Sequence, residues 1–229
     1  MWRVPPVANT KTRTPTHRLI EAEADLRDGV RALRRKCAVM RRVHDTAGDP
    51  PLRRRPAGFE GLARIVVGQQ VSVASAEAIW GRTVLAVQPF EPQALLALED
   101  RKLVAAGLSG GKIRTLRAVA TAAANGLDLT RLDHLADEEV HAALTAVSGI
   151  GPWTADVFLL FCMGRADAWA AGDLALQIAA KEALGLDERP DKEAMLELAE
   201  RWRPWRGVAA RLLWSYYAVL KARSKVLPV

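Results

Sequence analysis

The chain has few cysteines and no long apolar run, and each absence excludes a class of protein. Among its 229 residues only two are cysteine, Cys37 and Cys162. Two are too few for a disulfide scaffold or for an iron–sulfur cluster with four cysteine ligands. No apolar stretch is long enough to span a membrane, and the first residues lack the apolar region of a signal peptide. We therefore expect a soluble cytoplasmic protein without a membrane partner.

Negative charge is scarce near the N-terminus, and this is where the net charge of +7 arises. Residues 1–57 hold 14 Lys and Arg against 6 Asp and Glu, whereas residues 58–229 hold 19 against 20. A basic excess suits a polyanion such as nucleic acid, but a solvated basic face explains it equally well. The first 16 residues also contain three prolines, and we predict a flexible basic arm over residues 1–16.

The alternation of polar and apolar residues that is typical of a strand is also missing. The nearest candidate, T-V-L-A-V at 83–87, fits a helix equally well. Apolar residues recur instead at helical spacing, which predicts about ten helices and an all-α fold. We expect the N-terminal helical region to break at Gly29, and Ser72 to cap a helix that runs to about Val87. We also expect Lys112, Arg114 and Arg117 to form the solvated surface of a helix, with contact to phosphates as the open alternative.

The stretch V-S-G-I-G-P-W-T-A-D-V at 147–157 indicates two helices joined by a tight turn. Gly149 and Gly151 allow the positive φ angles and close ligand approach that other residues resist. Pro152 suits the first turn of a helix, where its missing N–H costs nothing. Because the N–H groups of that turn lack partners and the helix dipole is positive there, the turn is typical of a phosphate-binding site. We predict flanking helices over 137–146 and 154–163.

Another helix is predicted to begin at an aspartate. The segment R-A-D-A-W-A-A-G-D ends at Asp173, and the helical run that follows continues to Leu184, with Gly185 as its stop. Asp173 therefore has the position of an N-cap.

Four blocks, in order along the chain, carry a more specific signal. They are F-E-G-L-A-R-I-V-V-G-Q-Q-V-S-V, S-G-I-G-P-W-T-A, A-G-D-L-A-L-Q and W-R-P-W-R-G-V-A-A-R-L-L-W. Together they resemble the helix–hairpin–helix (HhH-GPD) DNA glycosylase superfamily, and within it the alkylbase branch of the 3-methyladenine-DNA glycosylase II type. The resemblance covers about residues 58–217.

This resemblance implies an all-α fold of two helical domains with the active cleft between them. One domain would comprise residues 58–165, and the other would combine residues 17–57 with residues 166–229. The implied partner is damaged double-stranded DNA. We expect a monomer of bacterial type, located in the cytoplasm with the nucleoid.

The resemblance further implies that Asp173 is catalytic. Cleavage of an N-glycosidic bond builds positive charge on the sugar, which an ionised carboxylate can stabilise while it orients or deprotonates water. A purely structural N-cap is the alternative, and both roles can hold together. Many relatives have two adjacent acids at this point. Here Gly172 precedes Asp173, which leaves a single candidate.

Two tryptophans, Trp153 and Trp214, match positions that line the base pocket in the family. An electron-rich indole attracts a cationic alkylated purine by about 0.5–2 kcal/mol. The structural alternative is that both are core residues. Trp153 also stands where strand-cleaving relatives carry a lysine that forms a Schiff base with the sugar. Since indole offers no such nucleophile, we expect base excision without lyase activity.

For the hairpin, the resemblance implies contact with DNA phosphates and a bound Na⁺ or K⁺ that would add its charge to that of the helix dipole. The DNA-contacting residues would be Gly149, Gly151 and Thr154, and the cation would lie on the backbone carbonyls of Thr145, Val147 and Ile150. No cofactor is implied for catalysis itself, and no iron–sulfur cluster is expected.

The block G-Q-Q-V-S matches the family loop that fills the gap left by the flipped base. Gln70 has the wedge position, where an amide can replace lost hydrogen bonds. For Gln69 and Gln70 a role in supporting the loop is the open alternative, next to DNA contact.

The resulting hypothesis is a monofunctional DNA repair glycosylase that flips out and excises alkylated purines, chiefly 3-methyladenine and also 7-methylguanine. Two alternatives remain open at this point. The same fold can act on another lesion such as a deaminated base, or the protein can be a non-catalytic DNA-binding module in which Asp173 is only a cap.

Overall fold

The computed structural model describes residues 17–226, with side chains to residue 224. The predicted arm over residues 1–16 lies outside the described residues. Within the described part of the chain there are twelve α-helices and no strand, apart from one isolated backbone bridge between Leu19 and Arg165. None of these helices is sufficiently long and apolar to cross a membrane. The expected all-α fold is confirmed.

The helices fall into two compact units. The first unit contains Arg55–Met163 and the second contains His17–Arg54 with residues 164–226. The helices of the first unit are α3 (Phe59–Gly68), α4 (Val73–Ala86), α5 (Pro92–Ala97), α6 (Asp100–Ala105), α7 (Gly110–Ala124), α8 (Asp137–Thr145) and α9 (Pro152–Phe161). Those of the second are α1 (Glu23–Lys36), α2 (Ala38–Ala47), α10 (Leu174–Leu184), α11 (Lys192–Glu200) and α12 (Arg206–Val226).

In the first unit, α3 is the central helix and packs against α4, α7 and α9. It buries Leu62, Ile65 and Val66 almost completely. A Cβ atom at Gly61 would lie 2.1 Å from the carbonyl oxygen of Pro56 and 2.8 Å from Cys162 Sγ, so this helix face has no room for a side chain. The backbone at the start of α3 is therefore closely packed.

In the second unit, α12 packs against α1, α2 and α10. The predicted break at Gly29 is wrong, because α1 continues through that residue from Glu23 to Lys36. A Cβ atom at position 29 would lie 2.6 Å from Val208 Cγ2 and 2.7 Å from Trp205 Cε3. The glycine serves close packing between α1 and α12 rather than helix termination.

Helix ends follow local chemistry where the sequence predicted it. The hydroxyl of Ser72 accepts a hydrogen bond from the Ser75 N–H and caps α4. Gly185 ends α10 in the left-handed conformation, with φ of 67°, which a glycine adopts without strain. These two predictions are confirmed.

Candidate active site

Asp173 is the N-cap of α10, and its carboxylate has two donors on one oxygen. Its Oδ1 accepts a hydrogen bond from the Leu176 N–H at 3.0 Å and another from Trp214 Nε1 at 3.0 Å. The first bond satisfies a helix-end amide and confirms the predicted cap. The second comes from a different helix, α12, so the position of the carboxylate depends on two separate elements.

The loop that leads to Asp173 is anchored to the start of α12. Asp167 accepts hydrogen bonds from the Arg206 N–H at 3.2 Å and from Arg203 Nη1 at 2.6 Å. The N–H of Gly207 donates to the Ala166 carbonyl at 2.8 Å. Further along the loop, Trp169 Nε1 donates to the Met195 carbonyl. The W-R-P-W-R block therefore holds in place the segment that presents the acid.

Trp214 is half-buried on α12, and through its N–H it contacts Asp173 within the second unit. Of the three residues predicted for catalysis and for the base pocket, Asp173 and Trp214 are therefore in contact. Trp153, the third, is the second residue of α9 in the first unit and is also half-buried.

The predicted helix–hairpin–helix is formed by α8 and α9, joined by residues 146–151. Gly149 adopts a φ of +85°, which a residue with a side chain rarely adopts. For Gly151 the expectation of a positive φ is wrong: its φ is −90° and it caps α9 with no side chain of its own. Pro152 occupies the first turn of α9 as predicted. Across the hairpin, His141 Nε2 lies 3.6 Å from Asp156 Oδ1.

Thr154 is placed differently from its predicted role in contacting DNA. Its side chain is 2% exposed, and its hydroxyl accepts a hydrogen bond from Gln69 Nε2 at 2.9 Å. Its N–H donates to the Gly151 carbonyl at 3.0 Å. Both polar groups are therefore engaged inside the first unit, and Thr154 supports Gln69 instead of presenting a side chain to a ligand.

The turn after α3, which contains the predicted wedge, has two distinct glutamines. Gln69 is the C-cap of α3 and is tied to the hairpin helix through Thr154. Gln70 is exposed and adopts a φ of +55°, one of the two positive values found outside glycine in the described residues. Gln69 therefore has the role of supporting the loop. Gln70 has an exposed side chain and an uncommon backbone conformation.

The predicted cation site consists of carbonyl oxygens in the hairpin turn. Thr145 is the last residue of α8, so its carbonyl is among those that have no donor within the helix. The Val147 carbonyl accepts a hydrogen bond from the Ile150 N–H at 3.0 Å and has a second lone pair. Carbonyl oxygens are suitable ligands for a hard cation, so the donor atoms are of the right chemical type, and the cation site stays a prediction. Among residues 17–226 no cluster of acidic, histidine or cysteine side chains forms an alternative metal site.

Two basic residues expected to be solvated have structural partners instead. Lys112 Nζ donates to the Val67 carbonyl at 2.7 Å, and its partial burial lowers the pKa of its ammonium group. Arg117 donates to Asp100 and to the carbonyls of Leu96 and Leu98. Sequence spacing gave no signal for either contact, because the partners belong to other helices. Arg114 is exposed, as expected.

Comparison with known proteins places these features in a family. The model of the HhH-GPD superfamily of base excision DNA repair proteins matches residues 63–204. This chain belongs to the HhH-GPD superfamily. The matched range contains the turn after α3 with Gln70, the hairpin, Asp173 and the first three residues of the W-R-P-W-R block.

Individual relatives of this HhH-GPD protein agree with that assignment. The chain is 32% identical to DNA-3-methyladenine glycosylase 1 of Schizosaccharomyces pombe over 68% of its own length and 71% of that protein. It is 39% identical to the putative DNA-3-methyladenine glycosylase YfjP of Bacillus subtilis, over 38% of this chain and 31% of that protein. That match thus spans about a third of the length of YfjP.

A solved structure extends the likeness to the fold. The S. pombe 3-methyladenine DNA glycosylase Mag1 in complex with abasic DNA superposes with a TM-score of 0.74 at 27% identity. The superposition covers 82% of this chain and 95% of Mag1.

Proposed function

We propose that this HhH-GPD protein is a monofunctional DNA glycosylase. It flips an alkylated purine out of duplex DNA and hydrolyses the N-glycosidic bond, leaving an abasic site. The proposed substrate is chiefly 3-methyladenine, and 7-methylguanine is the second candidate. The observation that carries the proposal is the double hydrogen bond to Asp173 Oδ1, which presents an oriented carboxylate at a helix start.

The chemistry needs little from the protein beyond that carboxylate. An alkylated purine of this kind is cationic while bound to the sugar, so it takes the bonding electrons and leaves as a neutral base without a proton donor. The sugar becomes an oxocarbenium-like cation, which the Asp173 carboxylate stabilises. Water then adds to the anomeric carbon and loses a proton, for which Asp173 is the acceptor.

Trp153 is the reason to propose hydrolytic release of the base without strand cleavage. A lysine at this point of the family pattern attacks the sugar and leads to strand cleavage through a Schiff base. Indole supplies no nucleophile, so water is the acceptor of the glycosyl group. Trp153 and Trp214 provide electron-rich faces for the extruded base.

DNA is the proposed partner, since Mag1 was solved with abasic DNA and the α8–α9 turn suits a phosphate. Gly149 and Gly151 lie at the start of α9, where amide groups and the helix dipole attract an anion. A Na⁺ or K⁺ on the carbonyls of Thr145, Val147 and Ile150 would add positive charge to this turn. The cleft between the two domains, their boundaries and the monomeric state stay predictions.

The proposal is tested by a release assay on defined duplexes. The purified protein is incubated with DNA carrying 3-methyladenine, 7-methylguanine or hypoxanthine, and free bases are separated by chromatography. Release of the two methylated bases with intact strands supports the proposal. Release of hypoxanthine alone assigns the fold to deaminated bases, and binding with no release identifies a non-catalytic module. A protein–DNA adduct trapped by borohydride would contradict the hydrolytic mechanism.

A further inference from the structure

The first turns of α7 contact both the end of α3, directly before the wedge turn, and the hairpin. We define the wedge turn as residues 68–71, which begin at the last residue of α3. Lys112 and Thr115 are three residues apart on α7 and therefore lie on one helix face. The sequence predicted a solvated surface position for Lys112 and gave no expectation for Thr115.

Lys112 is bound to the end of α3. Its Nζ donates to the Val67 carbonyl at 2.7 Å, across 45 residues of sequence. Val67 is in the last turn of α3, where carbonyls have no donor within the helix and the helix dipole attracts a cation. The ammonium group thus satisfies a helix-end carbonyl directly before the wedge turn.

The wedge turn needs such support because its backbone is uncommon. Gln70, three residues after Val67, has a φ of +55°. The left-handed conformation is unfavourable for a residue with a side chain and persists when the surroundings enforce it. Gln69, next to it, is fixed by its 2.9 Å hydrogen bond to the buried hydroxyl of Thr154. Two anchors therefore hold the chain directly before Gln70: Lys112 of α7 binds Val67, and Thr154 of α9 binds Gln69.

Thr115 extends the same helix face to the hairpin. A Cβ atom at Gly149 would lie 2.1 Å from Thr115 Oγ1, so the side chain of Thr115 is in close contact with the backbone of the hairpin turn. The face formed by Lys112 and Thr115 thus touches the end of α3 and the hairpin turn, which lie far apart in sequence.

We propose that Lys112 is a positioning residue for base flipping: by binding the end of α3 it holds Gln70 in register with the hairpin. The inference rests on the proposed function. A wedge fills the space that the flipped nucleotide leaves, so a misplaced wedge raises the cost of extrusion. That cost is lower when the target base is already mispaired. Loss of Lys112 therefore affects a paired lesion more than a mispaired one.

The test compares Lys112→Met with Arg114→Met, which removes an equal charge from the same helix at an exposed position. Base release is measured under single-turnover conditions for one lesion in a normal pair and in a mismatch. For Lys112→Met we expect at least about a tenfold loss on the paired substrate and a clearly smaller loss on the mismatch. Lys112→Arg, which keeps a donor, restores most of the rate. Thr154→Val, which removes the acceptor of Gln69, reproduces the dependence on pairing.

Two results overturn the inference: equal losses on both substrates for Lys112→Met, or the same pairing dependence in Arg114→Met. A second measurement is independent of catalysis. Amide hydrogen exchange of the full-length free protein reports the wedge turn directly, and Lys112→Met should accelerate exchange at residues 68–71 at least about tenfold while Arg114→Met does not. If wild type releases no base, the proposed function fails, but unchanged exchange in Lys112→Met is what refutes the support of the turn.

Discussion

Trp214 donates its indole N–H to the same Asp173 oxygen that caps α10, at 3.0 Å. The two residues are 41 positions apart and belong to different helices of one unit. A carboxylate held by two donors needs little reorganisation when positive charge develops beside it. The tryptophan predicted as a pocket wall therefore also orients the acid.

The hydrogen bond from Trp214 to Asp173 can be removed by a single substitution. Trp214→Phe keeps an aromatic face but removes the donor, so we expect base release to slow. A hydrogen bond to a charged group is worth about 1.5–3 kcal/mol, which corresponds to a loss of roughly 10-fold to 100-fold in single-turnover rate. DNA affinity should change much less, and both are measured on the same methylated duplex.

Trp169→Phe is the matched control, since it removes an indole donor from a backbone carbonyl in the same unit. It should lower the melting temperature without a comparable loss of rate. Equal rate losses in the two variants would mean that the Trp214 bond serves only the fold.

The two hairpin glycines should respond differently to alanine. At Gly149 a Cβ atom meets Thr115 Oγ1 at 2.1 Å and φ is +85°, whereas at Gly151 nothing lies within 4 Å and φ is −90°. Gly149→Ala should therefore destabilise the protein by about 1–3 kcal/mol, as measured by urea unfolding. Gly151→Ala should unfold like wild type.

A DNA-affinity measurement then shows whether Gly151 is needed for the close approach of a phosphate, as distinct from packing within the protein. If a phosphate contacts the amides at the start of α9, a methyl group at position 151 stands in its way. We expect Gly151→Ala to bind a duplex with an abasic-site analogue more weakly in a fluorescence anisotropy titration. Wild-type affinity in this stable variant would remove Gly151 from the DNA contact.

Trp153 is predicted to favour cationic bases. Trp153→Leu removes a cation–π attraction of about 0.5–2 kcal/mol, so kcat/KM for 7-methylguanine should fall more than kcat/KM for a neutral base that the enzyme also releases. The ratio of the two values is the readout, because it cancels general damage to the protein. An unchanged ratio would leave Trp153 as a packing residue.

A pH-dependent contribution to stability is expected from Glu77. Arg64 Nη2 donates to both carboxylate oxygens and lowers the pKa of Glu77 below its usual value of 4.5. Its stabilisation is therefore present above pH 4.5 and is lost as the pH falls through the lowered pKa. Because the Glu77 side chain is 52% exposed, Glu77→Gln should cost at most about 1 kcal/mol at neutral pH. Urea unfolding should show this difference shrinking as the pH falls below 4.5 through the lowered pKa, and a constant difference would contradict the assignment.

Local chemistry made part of this structure predictable. Ser72, Pro152, Asp173 and Gly185 act at helix ends within a few residues of themselves, and the sequence pattern identified each one. Gly29 was misread because its reason lies in Trp205 and Val208, far along the chain. A glycine in a helical pattern predicts a break unless a neighbouring helix is known to approach closely.

The sequence could nominate residues of the candidate site, whose roles stay predictions, but it could not predict the contacts between them. The family pattern pointed to Asp173 and Trp214, whereas the hydrogen bond between them depends on how α10 packs on α12. Thr154 was expected to contact DNA and instead accepts a bond from Gln69. Lys112 left no signal, since a lysine on a helix is usually solvated and its acceptor is a backbone carbonyl of another helix.

In the proposed mechanism the negative charge of Asp173 is required for base release, and Asp173→Asn tests this requirement most directly. The asparagine oxygen can still accept from the Leu176 N–H and from Trp214 Nε1, so the helix cap and the fold should persist. Loss of the negative charge should reduce release of 3-methyladenine from methylated duplex DNA by at least about 100-fold, with melting temperature and DNA affinity close to wild type. Equal release by Asp173→Asn and wild type would contradict the account.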